Sequence, residues 1–269
     1  MERKKTGVLL LTLIVTAAIF FVSCWDDDEK VNDQDHGHQE PEDKKGDNND
    51  EGNGEEIEHD YDITYGSVTD IDNNVYKTVV IGNQEWMAEN LRVSRYNDGT
   101  EIPKVADDDE WGELTTGAYC WYDNNSQYDI PYGKLYNWYA VDTGILCPQG
   151  WHVPSNDDWT DMVDYLGGIR TAGGKLKHAG TKYWESPNSD ATNETGFTAL
   201  PGGYRYYESG SFNYMGRVGR WWTKTDYSKS GSDQEIWAND RTMFNGSGGV
   251  GTSLYLHKKN GASVRCIKQ

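Results

Sequence analysis

The stretch VPSNDDWTDMVDYLGG, from Val153 to Gly168, specifies a helix more fully than any other part of the 269-residue chain. Ser155 suits the N-cap position, and Asp158 follows three residues later, close to the capping-box pattern that satisfies the first backbone N–H groups. Apolar residues then recur at i, i+3, i+4 and i+7, which predicts a single buried face. That face consists of Trp159, Met162, Val163 and Leu166. Gly167 can adopt the left-handed conformation that ends many helices.

The segments around this helix are typical of short β-strands joined by turns and loops. VYKTVVI, from Val75 to Ile81, is rich in β-branched residues and lies between two clusters of turn residues. GAYCWYDNN and GKLYNWYAV indicate further short aromatic strands, and long Gly-rich segments such as ALPGGYRYYESGSF follow the helix. We therefore expect an α+β domain over residues 61–269, with small antiparallel sheets, one or two helices, and long loops rich in glycine and aromatic residues.

The first 23 residues have the order of a signal peptide. The charged residues MERKK precede the apolar run GVLLLTLIVTAAIFFV, which is short for a membrane-spanning helix. FVSC then resembles a bacterial lipobox, although Phe21 is less usual at its position than leucine. The resemblance implies that residues 1–23 are removed and that Cys24 is lipidated and becomes the mature N-terminus. An uncleaved membrane anchor is the alternative.

Residues 24–60 are predicted to form an acidic, disordered tether. Between Asp26 and Asp60 there are 16 Asp or Glu and three Lys, with few apolar residues to offset the entropy of ordering. WDDDE, directly after Cys24, resembles the acidic signal that sends lipoproteins of the Bacteroidetes to the outer face of the outer membrane. We thus expect a protein attached to the outer membrane by its lipid and exposed at the cell surface. DHGH, from Asp35 to His38, offers side chains for loose metal binding, but nothing there fixes a geometry for the metal.

The charge of the remaining chain argues against nucleic acid as a partner. The tether carries −13 of the formal net charge of −19 and residues 1–23 carry +2, which leaves −8 on residues 61–269. Proteins that bind nucleic acid need a basic surface instead.

Many motifs of the domain, taken in order, resemble one bacterial family. They are VYKTVVIGNQEWMAENL, AYCWYDNN, YGKLYNWYAV, CPQGWHVPSNDDW, AGGKLK, ATNETGFTALPGGYR, GRWWTKT and ASVRCIK. Residues 65–269 are similar over nearly their whole length to the Fibrobacter succinogenes major paralogous domain, found in secreted and lipid-anchored proteins, although Ala262 stands where Phe is frequent. That family is in turn similar to the C-type lectin fold. The resemblance implies that the N- and C-terminal strands pair, with VRCIK closing the sheet.

The domain contains three cysteines, Cys120, Cys147 and Cys266, so at most one bridge forms within it. The resemblance to C-type lectin-like folds implies the pair Cys147–Cys266, which would leave Cys120 as a buried thiol. Pairing of Cys120 with Cys147 stays open, because connectivity is not fixed by sequence.

Catalysis and resident metals are not expected. The histidines of the domain, His152, His178 and His257, belong to no recognised nucleophile or metal motif. Formylglycine-generating enzymes share a related fold, but Cys266 stands alone where they use more than one thiol. WAND and ESPN are weakly similar to calcium-binding motifs of lectins, which makes Asn239 and Asp240 the candidate calcium ligands, although chance explains both matches better. We therefore expect no cofactor, with calcium as the open case.

Aromatic side chains between Trp184 and Asp240 are the candidates for ligand contact, because Tyr and Trp combine a flat apolar face with a polar tip. The candidates are Trp184, Tyr204, Tyr206, Tyr207, Trp221, Trp222 and Trp237. Strand alternation sends Trp221 and Trp222 to opposite faces, so one of them is either covered by a loop or an exposed anchor. The sequence favours a non-catalytic binding or adhesion module for a glycan or a protein. A structural envelope component that packs with a partner protein is the second hypothesis, and an enzyme is the third.

Overall fold

A computed structural model describes residues 61–227 and 236–269, with the side chains of Leu254 and Tyr255 left out. The predicted signal peptide, the lipidated Cys24, the metal-binding hypothesis for DHGH and the predicted tether all lie outside the described residues. Within them, no helix is both long and apolar enough to cross a membrane.

The described part of the chain is a mixed α and β structure built from short elements. The strands β1 to β12 are Gly66–Thr69, Val75–Ile81, Gln84–Met87, Tyr119–Cys120, Leu135–Tyr136, Trp151–His152, Tyr204–Arg205, Phe212–Asn213, Val218–Asp226, Trp237–Phe244, Gly251–His257 and Ile267–Lys268. The helices α1 to α5 are Asp108–Glu113, Asp129–Tyr132, Trp138–Asp142, Asn156–Tyr165 and Ala172–Leu176.

These five helices are more than the one or two that we expected. The difference arises partly in GKLYNWYAV, which was predicted to be a strand throughout but forms β5 and then α3. Asn137 causes the change of structure, because its side-chain oxygen accepts a hydrogen bond from the backbone N–H of Ala140 and so caps a helix. The prediction missed this cap, since the aromatic residues on either side of it are typical of strands.

A five-stranded antiparallel sheet forms one part of the domain, in the order β1-β2-β3-β12-β6. β2 is the predicted strand VYKTVVI, and it pairs with β3 from Thr78 opposite Met87 to Ile81 opposite Gln84. The last strand, β12, lies between β3 and β6, with Ile267 opposite both Trp86 and His152. The C-terminal strand thus joins the sheet of the early strands, but its partner among them is β3 and not the N-terminal strand β1, which was the expected pair.

A second sheet has three antiparallel strands in the order β11-β10-β9, and two small strand pairs, β4-β5 and β7-β8, lie apart from it. In the second sheet Trp221 lies opposite Arg241 and Trp222 opposite Asp240, and the register shifts between Ala238 and Asp240. A bulge of this kind increases the local twist of a strand.

The helix α4 follows the prediction closely. Ser155 and Asp158 form a complete capping box, in which each side chain accepts a hydrogen bond from the other residue's backbone N–H. The four residues of the predicted apolar face are all buried, and Trp159 is fully inaccessible to solvent. Gly167 has φ +98°, which is the left-handed conformation expected where the helix ends.

The disulfide between Cys147 and Cys266 is present, with 6.0 Å between the two Cα atoms. It connects the chain before α4 to the chain before β12 across a sequence separation of 119 residues. In the chain-entropy model, closing such a loop stabilises the fold by about 4–5 kcal/mol. Cys120 is the buried free thiol, and burial raises its pKa to about 12, so this thiol stays protonated and unreactive.

The long loops are held by buried cations that donate to backbone carbonyl groups. The ammonium of Lys177 donates to the carbonyl oxygens of Ser189 (2.9 Å), Phe244 (3.1 Å) and Ser247 (2.8 Å). Burial lowers the pKa of Lys177 to about 8, and the nearby charge of Asp190 works in the opposite direction. The loop at Ser189 and the turn that follows β10 thus converge on one ammonium group.

Two arginines hold other loops in the same way. The fully buried guanidinium of Arg205 donates to the carbonyl oxygens of Val105, Ala106, Asp107 and Gly210, and to the carboxylate of Asp108 at 2.6 Å. Arg265 is also buried, and it donates to the carbonyl oxygens of Phe197 and Thr198 and to the side chain of Asn90. These contacts give the buried loop carbonyls hydrogen-bond donors, and the Asp107 carbonyl also accepts the first backbone hydrogen bond of α1, from Trp111.

Candidate functional site

Three of the seven aromatic candidates are core residues, and the expectation that they contact a ligand is wrong. Trp184, Trp221 and Trp222 are fully buried. Each indole N–H donates to an internal acceptor, namely the Ala199 carbonyl at 2.9 Å, the Asn90 side chain at 2.9 Å and the Tyr136 carbonyl at 2.7 Å, respectively. Both faces of β9 are covered, so neither Trp221 nor Trp222 is an exposed anchor.

The calcium candidates are also buried, and they do not form a metal site. Asn239 and Asp240 lie inside β10, and the Asp240 carboxylate is 2.9 Å from the guanidinium Nε of Arg220. Burial raises the pKa of Asp240 to about 6, while the charges of Arg220 and Arg241 oppose this shift. In the described ranges no group of three His, Cys, Asp or Glu side chains could hold a metal ion.

Tyr204 lines a pocket of about 340 Å³ at the surface, which we name the tyrosine pocket. Its lining residues are Tyr204, Tyr214, Arg217, Val218, Arg220, Phe244 and Asn245. The rings of Tyr204 and Tyr214 are stacked, with 5.9 Å between centroids and 30° between planes. Tyr214 is 50% exposed and Phe244 is 44% exposed, so a ligand can reach an aromatic face on each side of the pocket.

The strand pair β7-β8 explains why Tyr204 faces outward. Arg205 lies opposite Phe212 and its guanidinium is buried beside that ring, whereas Tyr204 lies opposite Asn213. Because side chains alternate along a strand, the inward position of Arg205 directs Tyr204 to the other face. The same buried arginine that holds the loops therefore also orients a wall of the tyrosine pocket.

Tyr214 has an unusual backbone conformation. Its φ is +62°, a left-handed value that is a genuine outlier for a bulky residue. The turn that follows is closed by a 3.0 Å hydrogen bond from the Arg217 N–H to the Tyr214 carbonyl, and Gly216 has φ +82°. Such a conformation costs about 1–3 kcal/mol and is concentrated at functional sites. Because the Tyr214 ring is also half-exposed, this conformation makes Tyr214 a candidate for ligand contact.

The charged residues of the tyrosine pocket are two arginines. Arg220 places its guanidinium carbon 4.6 Å from the Tyr204 centroid, and its Nε faces the buried Asp240. Arg217 lies 3.7 Å from Glu185, and both side chains of this pair are more than half exposed. The residues that line the pocket thus contribute two guanidinium groups and no carboxylate.

The remaining candidates form a separate aromatic cluster. Tyr207 stacks on His257 with 3.6 Å between centroids and 5° between planes, and Trp237 and Tyr206 contact this pair by their edges. Both tyrosine hydroxyls donate to the carboxylate of Glu208. Burial lowers the pKa of His257 to about 4, so its ring is neutral at pH 7. The polar tips of the two tyrosines are already paired, which makes this cluster a weaker recognition surface than the tyrosine pocket.

The sequence interpretation missed most of the tyrosine pocket, because its residues come from three short segments that are separate in sequence. Tyr214, Arg217, Arg220, Phe244 and Asn245 were not among the candidates. The available signal was the sequence Tyr-Met-Gly-Arg from Tyr214 to Arg217, in which a large ring precedes a turn glycine and a cation. No local pattern connects this turn to Phe244, since only the pairing of β9 with β10 brings Phe244 opposite Val218.

The fold and the pocket together define a class of domain, namely small antiparallel sheets with long cation-held loops and an aromatic surface pocket. A sequence model described as the Fibrobacter succinogenes major domain matches residues 79–268. The chain belongs to this family, as the resemblance of its motifs implied. No curated protein and no solved structure matches the chain.

Proposed function

We propose that this protein is a cell-surface lipoprotein whose domain is a non-catalytic glycan-binding module, with the tyrosine pocket as its binding site. The observation that carries the proposal is Tyr214, a half-exposed ring in a strained conformation, stacked on Tyr204 at the mouth of the pocket. Holding a bulky residue at a positive φ costs stability, and contact with a ligand is a function that accounts for this cost.

The composition of the tyrosine pocket suits a sugar. Sugar rings have apolar faces that stack on aromatic rings, while their hydroxyls need hydrogen-bonding partners at the edge. Tyr214 and Phe244 supply the rings, and Arg217, Arg220 and Asn245 supply polar groups. A volume of about 340 Å³ is within the range of small-ligand sites, about 300–1,000 Å³.

The lipid anchor and the fold type complete the proposal. The lipobox-like FVSC and the acidic WDDDE support attachment at Cys24 and display on the outer face of the outer membrane. The central position of β12, and a disulfide from the chain before α4 to the chain before β12, support a C-type lectin-like fold. Such a fold does not fix a ligand by itself, so the glycan proposal depends on the pocket.

A glycan array probed with the full-length protein in detergent tests the proposal, with variants at Tyr214. Tyr214→Ala is expected to lose binding by at least tenfold, because a central aromatic contact is worth about 1.4 kcal/mol or more. Tyr214→Phe keeps the ring and is expected to keep most of the binding. Since the calcium candidates are buried, removing calcium is expected to change nothing.

Tyr214→Gly separates binding from folding. Glycine adopts φ +62° without strain, so this variant is expected to unfold at a higher temperature than the wild type while it fails to bind glycans. Wild-type binding that survives in Tyr214→Gly would exclude the tyrosine pocket as the site.

The second hypothesis, an envelope component that packs with a partner protein, is favoured by a different observation. Val80 and Tyr165 are 65% and 68% exposed and line a shared groove of about 510 Å³. Exposed apolar side chains in one groove are typical of protein contacts. If no glycan binds and an envelope protein is crosslinked to wild type but not to Val80→Lys, this hypothesis replaces the first.

A further inference from the structure

We infer that the tyrosine pocket selects a sugar that carries a carboxylate, such as a uronic acid residue, through Arg217 and Arg220. The inference rests on the proposed function and adds the chemical class of the ligand. It concerns charge, whereas the proposed function concerns the aromatic surface, so the two can fail separately.

The charge of the tyrosine pocket differs from that of the surrounding domain. Residues 61–269 carry a formal net charge of −8, yet the lining of this pocket contains two arginines and no acid. Asp240 lies beneath the pocket with no solvent exposure, so a ligand does not contact its carboxylate. A ligand in the pocket therefore meets positive groups on a molecule that otherwise repels anions.

Arg220 is held in position before any ligand arrives. Its side chain is only 17% exposed and lies between the ring of Tyr204, at 4.6 Å, and the carboxylate of Asp240, at 2.9 Å. A guanidinium presents its donors in a planar fork that matches the two oxygens of a carboxylate. Because Arg220 is already fixed, little side-chain entropy remains to be lost when an anion binds.

Arg217 is the more available of the two cations. Its contact with Glu185 is long, at 3.7 Å, and both side chains are more than half exposed, so the pair contributes little stability. A carboxylate on the ligand can replace Glu185 at small cost. The backbone N–H of Arg217 also closes the turn that begins at Tyr214, and both residues line the pocket in which a sugar would stack.

The aromatic content of the pocket indicates a sugar acid over a free phosphate. Three of the seven lining residues are aromatic, which suits the face of a pyranose ring. No helix N-terminus, the usual device for binding phosphate, is among the lining residues.

The test compares matched ligands by calorimetry with the full-length protein in detergent. The ligands are hexamers of galacturonate and of mannuronate, each with its methyl ester, which keeps the ring and removes the charge. In at least one of the two pairs, the free acid is expected to bind at least tenfold more tightly than its methyl ester. Raising the salt concentration from 0.05 to 0.5 M is expected to weaken binding of the free acid but not of the ester. Salt screens the attraction between carboxylate and guanidinium, with a Debye length of about 10 Å at 0.1 M.

Variants identify the residues responsible. Arg217→Gln is expected to reduce the preference for the free acid several-fold and to leave ester binding unchanged. Arg170→Gln is the matched control, because Arg170 is exposed and lies outside the tyrosine pocket. Glu185→Gln is expected to tighten binding of the free acid, as the competing carboxylate is removed.

The possible outcomes distinguish failure of the carboxylate inference from failure of the glycan-binding proposal. If the wild type binds acids and esters equally in both pairs, through Tyr214, the inference is wrong and the proposed function stands. If it binds glycans but Tyr214→Ala binds them equally well, both statements fail. If the free acids bind better and Arg217→Gln behaves like Arg170→Gln, Arg217 has no part in the selection and the inference is wrong as stated.

Discussion

The helix α4 and the loops from Ile169 to Arg217 are ordered by different means. α4 is stabilised by residues within the helix and its cap, since Ser155 and Asp158 pair backbone N–H groups of the first turn and the apolar face packs inward. The loops have few regular elements, and carbonyl groups of Ser189, Gly210 and Thr198 accept hydrogen bonds instead from Lys177, Arg205 and Arg265, respectively. The comparison shows that a buried cation on a side chain can do for a loop what a capping box does for a helix, but with partners distant in sequence.

The largest effect is expected where one cation holds most carbonyls. Arg205→Met removes hydrogen bonds to four carbonyl groups, although those of Ala106 and Asp107 keep a second donor, and each lost bond is worth about 1 kcal/mol. The free energy of unfolding, measured by urea titration, is expected to fall by about 4 kcal/mol. Arg170→Met, at an exposed arginine, is the control, with a change below about 0.5 kcal/mol. A fall below about 1 kcal/mol for Arg205→Met would contradict the role given to the buried cations.

Lys177→Met should give the next largest effect. Hydrogen bonds to three carbonyl groups are lost, so the free energy of unfolding is expected to fall by about 3 kcal/mol. Thermal unfolding of the wild type in the presence and absence of a chelator completes the test. An unchanged Tm is expected, because the Lys177 ammonium already donates to these carbonyl groups. A Tm that falls on chelation would show that a metal also orders these loops.

The buried carboxylate of the second sheet gives a smaller effect that depends on pH. The pKa of Asp240 is about 6 in the folded state against 3.8 for an exposed Asp, so between these values the folded state binds the proton more tightly. The free energy of unfolding therefore rises as the pH falls from 7 to 5. From these two pKa values, the gain is about 1 kcal/mol.

Asp240→Asn cannot titrate, so subtracting its pH profile from that of the wild type isolates this contribution. Urea titrations at pH 7 and pH 5 measure it, and other carboxylates cancel in the difference. The opposite sign would mean that Arg220 holds Asp240 charged, as in an ordinary surface ion pair.

The smallest effect is expected in α4. Ser155→Ala removes one half of the capping box and is expected to lower the free energy of unfolding by about 1 kcal/mol. Asp161→Ala, on the exposed face of the same helix, is the control and should change it by less than about 0.5 kcal/mol. If Ser155→Ala costs as much as Lys177→Met, the contrast between local and distant partners does not hold.

The same contrast explains what could be predicted from the sequence. α4 was predicted to the residue because its cap and apolar face are local patterns, and β2 was predicted from its β-branched residues. The disulfide was predicted from family resemblance, since spacing alone left two pairings open. In contrast, whether each Trp and Tyr is buried or exposed depends on which distant segments of the chain cover it. Trp221 and Trp222 are both buried because β9 is covered on both faces, which strand alternation does not reveal.

The tyrosine pocket shows the limit most clearly. Tyr204, Arg220 and Phe244 come together only after β7, β9 and β10 have found their partners, so no spacing along the chain relates them. The buried roles of Lys177 and Arg205 were missed for a similar reason, since a cation in a Gly-rich segment is ordinarily solvated.

The position of β12 also has a consequence for the timing of folding. β12 separates β3 from β6, so the five-stranded sheet remains in two parts until residues 267–268 are available, and the Cys147–Cys266 bridge can form only at the same late stage. A chain with such high contact order folds slowly and stays open until synthesis has passed its last strand. Under the export that we propose, this delay is an advantage, because a translocation channel accepts an unfolded chain and an oxidising compartment then allows the bridge to form.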